Sequence, residues 1–270
     1  MVILDENNIK EFENHSSKGN QLKWEKDNIW YKADYTGHEG LTEYIIANLL
    51  KKSNLLADEF IDYETVKISY KHSSFNGCMS TNFTEDNWQI ITLERLYKSR
   101  YNRSFMQDIW KINNVKDRLV FLVDQVEKLS GIKNFGIYIN KMLTIDALFL
   151  NEDRHLHNIA ILMNDHNQMK ICPFFDHGAG LLADTTLDYP LNADVFELIP
   201  SVKAKTICDD FDEALDESEA LFGQNLIFNF TKNDVKSLLA NADIYSNDIR
   251  NRVETIIYQQ MHKYRYLFIS

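Results

Sequence analysis

A chain of 270 residues, 44% hydrophobic and 26% charged, can bury a substantial core in one large domain or two lobes, and this composition excludes the disordered and fibrous classes. A net charge of -11 argues against a broad nucleic-acid or anionic-membrane surface but leaves room for a local basic cleft. Cys78, Cys172 and Cys208 are few and far apart, the N-terminal MVILDENNIKEF lacks a signal-peptide pattern, and no window reaches the roughly 18 apolar residues of a membrane span, so a reducing, cytoplasmic setting is expected.

In chain order, the small polar segment NHSSKGN at 14–20 predicts a turn. QLKWEKDNIWYKADY predicts a β-hairpin around the polar turn EKDN, with Lys32 near the end of its second strand. Leu41, Tyr44, Ile45 and Leu49 recur at helical spacing, and a helix is expected from Thr42 to Leu50. IDYETVKISY and FNGCMSTNF read as strands, with Gly77 as a break. From about Asp86 the pattern turns helical, through NWQIITLERLYKSRY, VKDRLVFLVDQVEKLSGI and FGIYINKMLTIDALFL. The apolar run ICPFF reads as a strand that delivers Asp176 at its end, with Gly178 allowing a sharp turn. After a mixed stretch to Pro200, AKTICDDFDEALDESEALFG, KNDVKSLLANA and NDIRNRVETIIYQQMHKYRYLF predict a helical C-terminal region. Strands and helices are thus segregated, which favours an α+β fold over a parallel α/β sheet.

The segment LNEDRHLHNIAILMNDHNQMKICPFFDHGAGL carries the chemistry. Asp153 and Asn158 form an Asp-x4-Asn pair, and Asp176 opens an Asp-His-Gly triplet. A carboxylate that meets an acceptor hydroxyl, followed by two oxygen ligands for Mg2+, is how a kinase arranges phosphoryl transfer from ATP. Asp153 is the candidate base, and His155, two positions on, is placed to contact the transferring phosphate. Asn158 and Asp176 are the candidate metal ligands. Phosphoryl transfer also needs a strand lysine on the phosphates and a helix glutamate to brace it. Lys32 and Glu43 fit that order, with Lys23 and Glu39 as competitors. The turn holding Ser16, Ser17 and Gly19 would cover the phosphates, although it has a single glycine and is not a G-x-G-x-x-G loop. Gly77, Cys78 and Ser80 would offer backbone groups to the adenine edge. One rival assigns His155, His157, Asp176 and His177 to a zinc or iron hydrolase. The run DDFDEALDESEALF reads as a solvated helix face.

The segments FLNEDRHLHNIAIL, PFFDHGAGLL and WYKADYTGHEGLTEYIIANLL resemble the HipA-like serine/threonine kinases, a bacterial group often found in toxin–antitoxin pairs. The resemblance runs from about Gly19 to about Gly223. It implies a bilobal protein-kinase-like fold, with a small strand-rich N-lobe at 1–78, a larger helical C-lobe at 79–270, and ATP with Mg2+ between them. It also implies that Asp153 is catalytic, that Asn158 and Asp176 hold metal, and that Lys32 binds the nucleotide. In this family a phosphate-loop serine can be autophosphorylated, a position that Ser16 and Ser17 occupy here; a phosphate there adds about two negative charges beside those of ATP. The chain lacks the extra N-terminal subdomain of the longest members, so an antitoxin-like partner would be engaged differently. The expected acceptor is a protein, with no direct nucleic-acid or membrane partner. Alternatives are a nucleotide-binding pseudokinase and a kinase for a small molecule or lipid.

Overall fold

The computed structural model describes residues 1–9 and 21–269. Strands β1 (Val2–Leu4), β2 (Lys23–Lys26), β3 (Ile29–Ala33), β4 (Glu64–Tyr70) and β5 (Ser73–Thr81) form one sheet in the order β1-β4-β5-β3-β2. β1 runs parallel to β4 and the other pairs are antiparallel. The β2–β3 hairpin turns on Asp27 and Asn28, both left-handed at φ 54° and 63°. Asp and Asn tolerate that conformation, and two such residues match the twist of paired strands.

Side chains alternate across each strand, so the sheet has two distinct faces. One buries Trp24, Tyr31, Ile68 and Tyr70 in a small core. The other carries Lys32 and Cys78 and receives helix α1 (Glu39–Leu50). Contact between helix and sheet is close because Gly40 meets Gly77: a Cβ on Gly40 would stand 2.4 Å from the Gly77 carbonyl carbon. β5 runs unbroken through Gly77, which pairs with Ala33 on one side and Val66 on the other. The expected strand break is therefore absent; a Cβ on Gly77 would stand 2.1 Å from the Lys32 carbonyl oxygen, so the glycine admits the neighbouring strand β3. The sheet continues to Thr81, past the expected N-lobe limit at residue 78.

The remainder holds β6 (Trp88–Thr92), α2 (Leu93–Tyr101), α3 (Phe105–Trp110), α4 (Val115–Ser130), α5 (Phe135–Phe149), β7 (Ala160–Asn164), β8 (Met169–Ile171), α6 (Val195–Leu198), α7 (Phe211–Phe222), α8 (Lys232–Asn241) and α9 (Asn247–Lys263). α5 is buried along most of its length and forms the spine of a continuous apolar core. Helix starts follow local chemistry: Thr92, Ser104, Asn114, Asp210, Thr231 and Ser246 each accept a backbone N–H at an N-terminus.

Two expectations need correction. NWQIITLERLYKSRY is not one helix: Trp88–Thr92 is strand β6, antiparallel to β7, and the helix begins at Leu93. The β-branched Ile90, Ile91 and Thr92 suit a strand, and a partner distant in sequence decides the matter. The helix expected across AKTICDDFDEALDESEALFG starts only at Phe211, after the Asp210 cap. Among the described residues no helix is long and apolar enough to cross a membrane.

His38, the residue before α1, is fully buried, and its N–H donates to the Ala183 carbonyl (3.2 Å). Burial, with the nearby Arg252 charge, pushes its imidazole from an ordinary 6.5 down to about 4. The folded state therefore binds fewer protons than the unfolded chain between these values, and stability falls as pH drops through that window. The difference in unfolding free energy between pH 7 and pH 4 should shrink by on the order of 3 kcal/mol in His38→Leu. Urea titrations of both proteins at the two pH values test this; equal pH dependence would refute it.

Candidate active site

Strand β3 turns Lys32 toward α1, and the helix answers with Glu43. Lys32 Nζ donates to Glu43 Oε1 at 2.7 Å and to Asp176 Oδ1 at 2.9 Å, joining three segments far apart in sequence. Glu43 is buried, and its other oxygen accepts the His177 N–H at 2.9 Å. Burial works against the Lys32 charge, but Asp176 and Glu43 outweigh it and hold its pKa well above the usual lysine value. For Asp176, burial likewise opposes ionisation, and the charges of Lys32 and Lys23 overcome it, holding the carboxyl well below its usual range.

Both competitors have defined places. Glu39 accepts from the Tyr35, Thr36 and Gly37 amides (3.2, 2.8 and 3.2 Å) and from Thr36 Oγ1 (2.9 Å), so it closes the loop before α1. Lys23 lies directly opposite Lys32 in the hairpin register and lines the same cleft. Burial lowers its pKa, against the attraction of Asp176.

The C-terminus of α5 ends in left-handed Leu150, and the chain enters the loop that carries Asp153. Asn158 Nδ2 donates to the Asp153 carbonyl at 2.9 Å and lies 3.4 Å from Asp153 Oδ2. That orientation directs the amide oxygen away from Asp153. Asp153, Asn158, Asp176 and Gly178 line one cleft with Lys23, Glu39 and Asp184. His155 Nε2 lies 3.8 Å from Asp153 Oδ1, and burial pushes the His155 pKa down.

Asp176 does not sit at a strand end. β8 stops at Ile171, and between it and Asp176 Phe174 alone makes a bridge, to Phe60. The left-handed residue is Asp176 itself, at φ 60°. Gly178 lies in the expected turn, closed by the Gly180 N–H on the His177 carbonyl at 2.9 Å, and a Cβ there would also crowd Glu39 Cβ at 3.3 Å.

Arg154 and Asp146 escaped the sequence reading. Arg154 is buried, and its Nε lies 3.0 Å from Asp146 Oδ2. Its Nη1 donates to the Asn158 carbonyl (3.1 Å) and the Phe175 carbonyl (2.8 Å), and its Nη2 to His177 Nδ1 (3.1 Å). One guanidinium thus fixes the Asp153–Asn158 loop against the Asp-His-Gly segment. The one available signal was an aspartate at position 146 inside an apolar helix. His177 is thereby engaged, and its pKa is pushed well down by burial. No group of three or more His, Cys, Asp or Glu side chains is placed to hold a metal among the described residues.

Ser16, Ser17 and Gly19 lie outside the described residues. Gly77 and Cys78 are paired on both sides within the sheet, and Cys78 is buried against Ala47, Ile61 and Tyr63. The β4 ladder ends at Met79, whereas Ser80 pairs with Trp30 of β3. Among the described residues, an open backbone edge for a ligand therefore starts at Ser80 rather than at Gly77.

Beyond the triplet, the strap at 184–194 borders the cleft. Tyr189 Oη donates to Glu152 Oε2 at 2.8 Å, beside Asp153. Arg252 of α9, itself buried, donates to the carbonyls of Tyr189 (3.1 Å), Pro190 (3.1 Å) and Leu191 (3.2 Å) and lies 3.5 Å from that of Ala193.

A curled sheet with one helix, a helical body and a charged cleft lined from both define a bilobal, kinase-like α+β fold. Among solved structures the chain is similar to the crystal structure of the Helicobacter pylori proinflammatory kinase CtkA, with a TM-score of 0.65 at 18% identity, covering 97% of this chain and 95% of that one. No family model matches the chain, and no curated protein matches it significantly.

Proposed function

We propose that the chain is an ATP- and Mg2+-dependent protein serine/threonine kinase of the HipA-like type. The observation that carries this reading is the contact of Lys32 with both Glu43 and Asp176 at 2.7 and 2.9 Å, with Asp176 lining a cleft beside Asp153 and Asn158. Lys32, braced by Glu43, neutralises nucleotide phosphate charge. Asn158 and Asp176 supply the oxygen ligands that Mg2+ prefers, and the ion would offset charge on the phosphates. Their fit rests on the Asn158 amide, whose nitrogen is engaged with Asp153 and whose oxygen is left for a cation. Asp153 orients the acceptor hydroxyl and takes its proton as the acceptor oxygen bonds the γ-phosphorus and the bond to the β,γ-bridging oxygen breaks, releasing ADP. Lys23, opposite Lys32, adds a second positive charge to the phosphate side. The adenine lies at the β5 edge from Ser80. Ser16 or Ser17 is the proposed site of autophosphorylation, and the setting is cytoplasmic, with a separate antitoxin-like protein as the regulatory partner that the resemblance implies.

Incubation with γ-labelled ATP and Mg2+, beside Asp176→Ala, tests the reading by intact-mass and peptide analysis. Phosphate on the wild type alone is the expected result. Nucleotide bound without any turnover would favour a pseudokinase.

A further inference from the structure

We infer that the strap at 184–194, with the start of α6, is the docking surface for the acceptor, and that it selects a segment carrying apolar residues and Lys or Arg around its serine or threonine. This rests on the kinase reading and names the acceptor class for the same cleft. Three large apolar side chains stand in solvent within this short stretch: Leu187 is 68% exposed, Leu191 40% and Phe196 56%. Exposed apolar residues on a floppy loop carry little meaning, but this backbone is fixed. Arg252 holds successive carbonyls of the strap, and Glu152 holds the Tyr189 hydroxyl. A rigid apolar surface binds at lower entropic cost than one that must be ordered first.

The surface is continuous with the cleft. Ala183 and Asp184 line it together with Asp153, and the residue that anchors Tyr189 is the chain neighbour of Asp153. A segment lying on the strap therefore meets the cleft at Asp184, which lines it with the candidate base. Charge selects its character. No Lys or Arg occurs between Lys170 and Lys203, whereas Asp188, Asp194 and Glu197 are exposed there. With a net charge of -11 over the whole chain, an acidic segment or a second copy is repelled, and a basic one is attracted.

Short fluorescent serine peptides in matched pairs, one with Leu and Arg near the serine and one with Leu and Glu, test this with the full chain. Anisotropy reports binding, and transfer from Mg-ATP reports turnover. The Arg peptide should show at least roughly tenfold higher kcat/KM, an advantage that fades with added salt. Leu187→Ser and Glu197→Lys should each raise KM and Kd for it by about tenfold, with melting temperatures close to wild type. Equal use of the two peptides overturns the inference and leaves the kinase reading intact. Arg-peptide binding that the variants weaken, with no phosphate transferred by the wild type, keeps the surface and removes the kinase reading. Unchanged Kd in both variants overturns the surface, as does self-association abolished by Leu187→Ser, which would assign the patch to a second copy.

Discussion

Asp153→Asn should lower phosphoryl transfer by about 10²–10⁴-fold while nucleotide binding is retained. The substitution keeps the size of the side chain but removes its negative charge and with it the ability to take a proton. It spares the loop, because Asn158 Nδ2 is held chiefly by the Asp153 main-chain carbonyl at 2.9 Å. The proposed nucleotide contacts lie on other elements, on Lys32 of β3 and on Asp176 after β8, which pair with each other at 2.9 Å. Initial rates of transfer, measured beside a nucleotide titration by thermal shift, separate the two effects. Undiminished turnover would remove Asp153 from the role of base.

The second large effect concerns stability. Arg154→Met leaves Asp146 as a buried carboxylate without its positive partner and with only the Asn151 amide (2.8 Å) still donating to it, since the two side chains are 3% and 2% exposed. Breaking a buried pair from one side costs about 3–5 kcal/mol, which for a chain of this size lowers Tm by roughly 6–20 °C. Replacing both partners by apolar residues, in Asp146→Leu with Arg154→Met, should recover much of that loss, because desolvation of the charges is removed as well. Transfer should stay impaired in the double variant, since the carbonyls of Asn158 and Phe175 lose their common donor. A single variant that melts like wild type would mean that the pair contributes nothing.

These two residues also mark where the sequence stops being legible. Asp153 and Asn158 were readable because their relation is local, a fixed spacing in one loop. The Lys32–Glu43 pair was readable because a hairpin and the following helix announce themselves by period and turn chemistry, although spacing alone could not decide between Glu39 and Glu43. The choice is made by the amides of Tyr35, Thr36 and Gly37, which claim Glu39. Arg154 looked like any loop arginine, because its partners come from the end of α5 and from the segment after β8. The stretch Trp88–Thr92 has a helical pattern yet forms a strand for the same reason: its partner, Ala160–Asn164, is distant in the chain. Asp176 was placed at a strand end because ICPFF is apolar, yet Cys172 and Phe174 are apolar to fill the core rather than to extend a ladder. The clamp of Arg252 on the strap left no trace in any local pattern.

That clamp has a consequence for the timing of maturation. Arg252 lies 63 residues after Tyr189, and a ribosome adding about 5–20 residues per second makes the helix that carries it several seconds after the strap. Until then the carbonyls from Tyr189 to Leu191 lack their donor, although the cleft residues through Asp176 have all been made. A nascent chain thus carries its candidate catalytic residues before the strap proposed to receive an acceptor has been tied down.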